Sequence, residues 1–180
     1  HEPAGRVLMG GAWDGRRRKL LDGAPDGVLL DLGCGEGRLL HDARRRGRLA
    51  IGIDPSHNMV ARAHRRGAVV IRASAAALPL QDESVQLVTA TYPGPWIFRE
   101  DTIQEVSRVL AANGEFRVLL GGTIERGPFA TIRIWMNRVV YGTADPYPPD
   151  LPRIPHLTGE LVASDDRWGS AFIWVGARAG

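Results

Sequence analysis

The chain has 180 residues, of which 44% are hydrophobic and 24% charged, the balance of one globular domain rather than of a disordered or collagen-like chain. No apolar run is long enough to span a bilayer and no leader-type n-region and h-region follows His1, so the expected location is cytoplasmic. A net charge of +3 does not by itself call for a nucleic-acid partner, although it leaves one open, and the single cysteine, Cys34, excludes an internal disulfide.

The first segment is polar and glycine-rich, with a basic run Arg16-Arg17-Arg18-Lys19 that reads as a solvated face, with phosphate or RNA contact as the alternative. Residues 28–32 form a short apolar run closed by Gly33, as a strand buried on both faces of a parallel sheet does. A helix is predicted over 38–46, stopped by Gly47. A second strand over 50–53 ends in Asp54-Pro55, and Ser56 is placed to cap a helix running to Arg66 and stopped by Gly67. Strands follow over 69–71 and 85–90. In the next helix, Asp101 or Thr102 is the predicted cap, with Gln104 or Glu105 reaching back, and Ile103, Val106, Val109 and Leu110 form its apolar stripe. Asn113-Gly114 makes a turn into a strand over 116–120, ended by Gly121-Gly122. A helix over 124–141, a proline-rich loop and a hairpin complete the chain; the hairpin strands are predicted over 160–164 and 171–177, with Trp168 at the tip.

Alternating strands and helices imply an α/β sheet with right-handed crossovers, whose ligands sit at the carboxyl ends of the strands. Two acids fall at such ends. Asp31 precedes Gly33, Gly35 and Gly37 in the segment Asp31-Leu32-Gly33-Cys34-Gly35-Glu36-Gly37. A dinucleotide fingerprint wants its third glycine one residue later, where Arg38 stands. A carboxylate repels a pyrophosphate and attracts an ammonium, so Asp31 suits an amino-acid-bearing ligand. Asp54, at the end of the second strand, has the spacing of an acid that accepts from both ribose hydroxyls; helix capping is its bland alternative. Cys34 reads as a packing residue, since no base pairs with it by pattern. The histidines show no metal-ligand spacing, so no metal is expected. Tyr92-Pro93-Gly94-Pro95-Trp96 is either a rigid packed loop or an aromatic platform for a planar substrate.

Four segments in order resemble the class I S-adenosylmethionine-dependent methyltransferases. Residues 28–37 are similar to their motif I, and Ile51-Gly52-Ile53-Asp54-Pro55-Ser56 to the acidic loop that follows. Ala77-Leu78-Pro79-Leu80 with Asp82-Glu83-Ser84-Val85-Gln86-Leu87-Val88 resembles the A-L-P-F…D-x-S-F-D-x-V stretch, and Glu105-Val106-Ser107-Arg108-Val109-Leu110 with Asn113-Gly114 the R-V-L-x-P-G-G turn. The small-molecule "type 11" group is the nearest likeness.

The resemblance implies a Rossmann-like, seven-stranded, mostly parallel sheet with a C-terminal antiparallel hairpin. It implies one domain over 1–180, with a cofactor-binding core at 27–122 and a C-terminal part at 123–180. S-adenosylmethionine is the implied cofactor. Asp31, Gly33, Gly35 and Gly37, with Cys34 among them, would hold its methionine part, and Asp54, with Pro55 beside it, its ribose. Ser74 and Ala75 would edge the adenine, Met59 would pack on it, and Thr91 and Tyr92 would close over the cofactor. The implied activity is direct methyl transfer to a small-molecule acceptor. Tyr92 and His57 are the candidate general bases, and the acceptor, the atom methylated and the oligomeric state are not legible. The family's aspartates are replaced at Ser74 and Gln86, which motivates a second reading as a non-catalytic binding or assembly protein. A third reading is an RNA methyltransferase, which would carry an arginine face around the cofactor mouth.

Overall fold

In the computed structural model, residues 13–123, 154–167 and 169–179 are described. A helical segment over 13–19 leads into β1 (Leu29–Leu32), α1 (Arg38–Arg45), β2 (Ala50–Ile53), α2 (His57–Arg65) and β3 (Val70–Ile71). Then come β4 (Val85–Thr91), a 3-10 turn (Pro95–Phe98), α3 (Glu100–Val109), β5 (Leu110–Gly122), β6 (Leu157–Asp166) and β7 (Gly169–Arg178). The expected helix over 124–141, most of the proline-rich loop and Trp168 lie outside the described residues.

The strands form one seven-stranded sheet in the order β3-β2-β1-β4-β5-β7-β6. β1 to β5 pair in parallel, and β7 runs antiparallel to both β5 and β6. The seven-stranded, mostly parallel sheet with its hairpin is therefore as expected. All four residues of β1 are buried, as a central parallel strand requires. Its alternate residues feed two cores: Leu30 and Leu32 join Val88, Ile103, Val106 and Phe116 on the α3 face. Leu29 joins Leu39, Leu40, Val60 and Ala63 on the α1–α2 face.

Three local expectations change. The helical segment over 13–19 stands where the sequence shows only a polar, glycine-rich stretch. Its Arg16 is 3% exposed and its Nε donates to Asp166 Oδ2 at 2.8 Å, while Lys19 donates to Ser164 Oγ at 2.7 Å. Arg17 bridges Asp14 and Asp42. The basic run is a clamp onto the hairpin and α1, not a solvated face. Second, α3 starts two to three residues earlier than its capping pattern suggests, with Arg99 as N-cap and no side-chain cap. Asp101 is drawn to Arg99 instead, because the 3-10 turn delivers the chain in helical register. Third, Asn113-Gly114 lies inside β5: while β4 advances from Val85 to Leu87, β5 advances from Leu110 to Glu115. The turn is a bulge in a continuing strand.

Candidate functional site

The carboxyl ends of β1 and β2 meet in the glycine loop. Gly33, Gly35 and Gly37 have φ of 66°, 53° and 75°, values that a side chain disfavours. At Gly37 a Cβ would also lie 2.9 Å from Ala68 Cβ, so the loop lies close against the turn after α2. The amides of Gly33 and Cys34 both donate to Ile53 O, at 2.8 and 3.1 Å, which fixes the loop to β2.

Asp54 completes this attachment. Its Oδ2 accepts from Gly35 N at 2.9 Å and its Oδ1 from Ser56 N at 2.8 Å, and the residue is only 7% exposed. Each oxygen keeps a second acceptor position, the arrangement two vicinal hydroxyls require. Asp54 does not cap α2; Ser56 does, accepting from Met59 N at 3.4 Å.

Asp31 is 3% exposed in the middle of the sheet, where Thr89 of β4 is its register partner. Thr89 Oγ1 donates to Asp31 Oδ1 at 2.9 Å. Burial pushes the Asp31 carboxyl up to about 7, against the opposing pull of the Thr89 hydrogen bond and of Arg17. Thr89 is a functional neighbour that sequence reading missed. Its signal was one hydroxyl in the apolar run of β4, at the position facing Asp31.

Cys34 is buried, and burial followed by the charges of Asp31 and Asp54 pushes its thiol well up. It is therefore a protonated packing residue and no nucleophile. A Cβ at Gly52 would lie 2.5 Å from Cys34 Sγ, which shows how closely the sulfur fills the space over β2.

The remaining candidates line the two sides of this centre. Pro55 and His57 are exposed and Met59 is half-buried at the start of α2. Ser74 is exposed and its Oγ accepts from Ala76 N at 3.2 Å, closing a turn, while Ala75 is buried against the α3-side core. This segment is anchored from α3: Glu105 Oε2 accepts from Leu78 N at 2.6 Å, and Arg108 donates to Leu78 O and Leu80 O at 3.0 and 2.8 Å. The Glu105–Arg108 motif is thus the support of the Ala77–Leu80 motif.

At the end of β4, Thr91 Oγ1 is buried with no hydrogen-bond partner among the described residues. Tyr92 adopts φ 49° and donates its amide to Leu119 O at 2.8 Å. Its ring packs edge-on against Trp13, with centroids 4.3 Å apart. Trp96 lies against the glycine loop; a Cβ at Gly33 would stand 3.2 Å from its Cζ2. Trp96 therefore flanks the loop from the β4 side, while the Tyr92 ring packs on Trp13. Gln86 is elsewhere: its Oε1 accepts from Val28 N at 2.8 Å at the opposite ends of β4 and β1. Its replacement of an aspartate has no direct bearing on this site. Among the described residues no group of three or more His, Cys, Asp or Glu side chains is placed to hold a metal ion.

Residues 30–118 match the family profile described as a methyltransferase domain. Uncharacterized methyltransferases of Mycobacterium bovis and Mycobacterium tuberculosis are 33% identical over 100 residues, covering 54% of this chain and 41% of theirs. The chain thus spans about two fifths of the length of the curated relatives it matches. Among solved structures, a Thermotoga maritima S-adenosylmethionine-dependent methyltransferase described as a possible histamine N-methyltransferase is similar, with TM-score 0.67 and 20% identity. The match covers 98% of this chain and 93% of that one. The Streptomyces coelicolor geranyl diphosphate C-methyltransferase, in complex with Mg2+, geranyl diphosphate and S-adenosyl-L-homocysteine, follows with TM-score 0.64 and 16% identity, covering 96% and 80%. With four motifs in order, the strand order of the sheet and the matched profile in agreement, the chain belongs to the class I S-adenosylmethionine-dependent methyltransferase family.

Proposed function

We propose that this protein binds S-adenosylmethionine across the carboxyl ends of β1, β2 and β4 and transfers its methyl group directly to a small-molecule acceptor. The observation that carries the reading is the Asp54 carboxylate, held by Gly35 N and Ser56 N at 2.9 and 2.8 Å with two acceptor positions left over. The donor set fits the cofactor. Asp31 supplies a buried carboxylate for an ammonium, Asp54 two acceptors for ribose hydroxyls, and Thr91 Oγ1 a buried hydroxyl still lacking a partner.

When bound, S-adenosylmethionine supplies an activated methyl group that an acceptor lone pair displaces in line from sulfur, leaving S-adenosylhomocysteine. The chain's own contribution is positioning, which is what such a displacement requires most. Asp31 and the loop of Gly33, Cys34, Gly35 and Gly37 orient the methionine part, and Asp54, with Pro55 beside it, orients the ribose. Met59, Ser74 and Ala75 border the adenine. Because Ser74 Oγ is engaged by Ala76 N, it has less to offer the adenine amino group than an aspartate has. Thr91, Tyr92 and Trp96 face the acceptor side, where the aromatic rings exclude water.

Neither candidate base is assigned. His57 stands beside Asp54, on the ribose side, and the Tyr92 ring is packed on Trp13. No helix among the described residues is long and apolar enough to cross a membrane; a cytoplasmic setting is part of the proposal. The single sheet shared by the 27–122 core and the C-terminal hairpin supports one domain over 1–180.

The test is release of S-adenosylhomocysteine from S-adenosylmethionine with a panel of phenol, amine and prenyl-type acceptors, and with RNA in parallel. Turnover with a small acceptor supports the reading. Turnover with RNA alone moves the acceptor class, and cofactor binding without any turnover favours the non-catalytic reading.

A further inference from the structure

The positive charge of this chain is concentrated in one stretch. Residues 38–80 hold nine arginines against two aspartates and no lysine or glutamate, a net of seven positive charges, while the whole chain carries three. The rest of the molecule is therefore net negative. The two aspartates do not offset the surface: Asp54 is buried, and Asp42 is 16% exposed and paired with Arg17. Glu36, just before this stretch, is 14% exposed and spent on Arg62 and Arg66.

What remains outward is a cleft of about 240 Å³ lined by His41, Arg44, Arg45, Arg66, Gly67 and Ala68. Two of its guanidiniums are fixed: Arg44 donates to Gly67 O, and Arg66 pairs with Glu36 Oε2 at 2.9 Å. Arg45, and Arg65 next to Arg66, are exposed and make no ion pair or hydrogen bond with any described residue. The cleft lies between the C-terminal ends of α1 and α2. The cleft adjoins the glycine loop from the helix side: Arg66 pairs with Glu36 of that loop, and Ala68 packs against Gly37.

Arginines at helix C-termini complement the helix dipole, but one or two suffice for that, and the surplus here converges on a concavity. We propose that this cleft and the exposed arginines beside it dock the phosphate backbone of a base-paired nucleic acid, independently of which acceptor is methylated. Planar guanidinium forks match phosphate oxygens. No Phe, Tyr or Trp occurs between Trp13 and Tyr92, so residues 38–80 supply none of these rings as a stacking platform for unpaired bases or as an anchor at a lipid interface. The exposed large apolar residues of this stretch are Leu49, Val69 and Ile71. Backbone contact alone gives sequence-independent, salt-sensitive binding.

The experiment measures binding of a fluorescent RNA duplex to the full chain across a salt series, with Arg45→Glu/Arg65→Glu and, as an equal change in net charge elsewhere, Arg99→Glu/Arg178→Glu. Anionic phospholipid vesicles and inorganic pyrophosphate are run as competitors. The expected result is duplex binding at about 50 mM salt, with a log–log salt slope of about −3 for three or four phosphates. The first double variant loses at least about tenfold in affinity and the second less than about threefold. The proposal is overturned by no duplex binding at low salt, by equal losses in both variants, or by vesicles or pyrophosphate binding in preference to the duplex. A thermal melt of each variant separates loss of the surface from loss of the fold. A failure here leaves the methyl-transfer reading untouched, because that reading rests on Asp31 and Asp54 and is tested by cofactor titration, which neither exposed arginine enters.

Discussion

The carboxylate of Asp54 accepts the amide of Gly35 at 2.9 Å, so the acid after β2 and the glycine loop after β1 form one hydrogen-bonded unit. Two motifs 19 residues apart are thereby interdependent. A substitution at either changes both the shape of the loop and the acceptor positions offered to a ligand.

Under the proposed function, Asp31 is expected to make cofactor affinity depend on pH. Its carboxyl sits at about 7 in the free protein, because burial disfavours the charge. An ammonium beside it favours the ionised form, so binding below about pH 7 must expel a proton. Affinity for S-adenosylmethionine is expected to fall by up to about tenfold per unit as pH drops below about 7. Calorimetry between pH 5.5 and 8 in buffers of different ionisation heat, with flat affinity in Asp31→Asn, checks it, the pH limits being about those that bracket this titration.

The same shift has a cost in stability. The folded carboxyl titrates above its ordinary value of 3.8, so the folded state holds a proton that the unfolded state has lost. Stability contributed by Asp31 is therefore present below about pH 4 and declines as pH rises towards 7. Asp31→Asn is expected to gain roughly 1–3 kcal/mol at neutral pH, and little or nothing at acid pH, while losing cofactor affinity. Urea denaturation at both pH values reads it. Equal effects at the two would show that ionisation is not the cause.

Gln86 is expected to be silent in cofactor binding. Gln86→Asp keeps an acceptor for Val28 N and should leave affinity within about twofold. Gln86→Leu strips that amide of its partner and should cost about 1–2 kcal/mol of stability, again with affinity unchanged. A tenfold gain in affinity for Gln86→Asp would place the residue in the site after all.

Arg16 ties the chain together across 150 positions through its bond to Asp166. Arg16→Ala removes this pair and the guanidinium's bond to Thr123 O while Asp166 keeps the Gly169 amide, so the expected cost is about 1–3 kcal/mol. Limited proteolysis should then cut first in the segment before β1. Unchanged stability would mean that the clamp is not needed.

The motifs that border the site were legible because they are local. Gly33, Gly35 and Gly37 must turn within a few residues, and Asp54 must follow a strand. The sheet was legible from its short apolar runs for the same reason. What escaped was set by distant partners. Nothing near Arg16 in sequence announces Asp166, and nothing near Thr89 announces Asp31. The capping pattern at Asp101 lost to a competing contact with Arg99, supplied by a turn that the sequence shows only as prolines. Gln86 was read from its place in a motif, whereas its bond to Val28 N is a matter of which end of β4 it occupies.

The measurement that bears most directly on the site is calorimetric titration of S-adenosylmethionine and S-adenosylhomocysteine into the wild-type protein and Asp54→Asn. The asparagine keeps one acceptor for the backbone and loses the carboxylate that two hydroxyls would share. Wild-type binding in the micromolar range, about −8 kcal/mol, weakened about 10–100-fold in a folded Asp54→Asn, is the expected result. No binding to the folded wild-type protein, or equal affinity in both, would contradict a cofactor site built on Asp54 and the glycine loop.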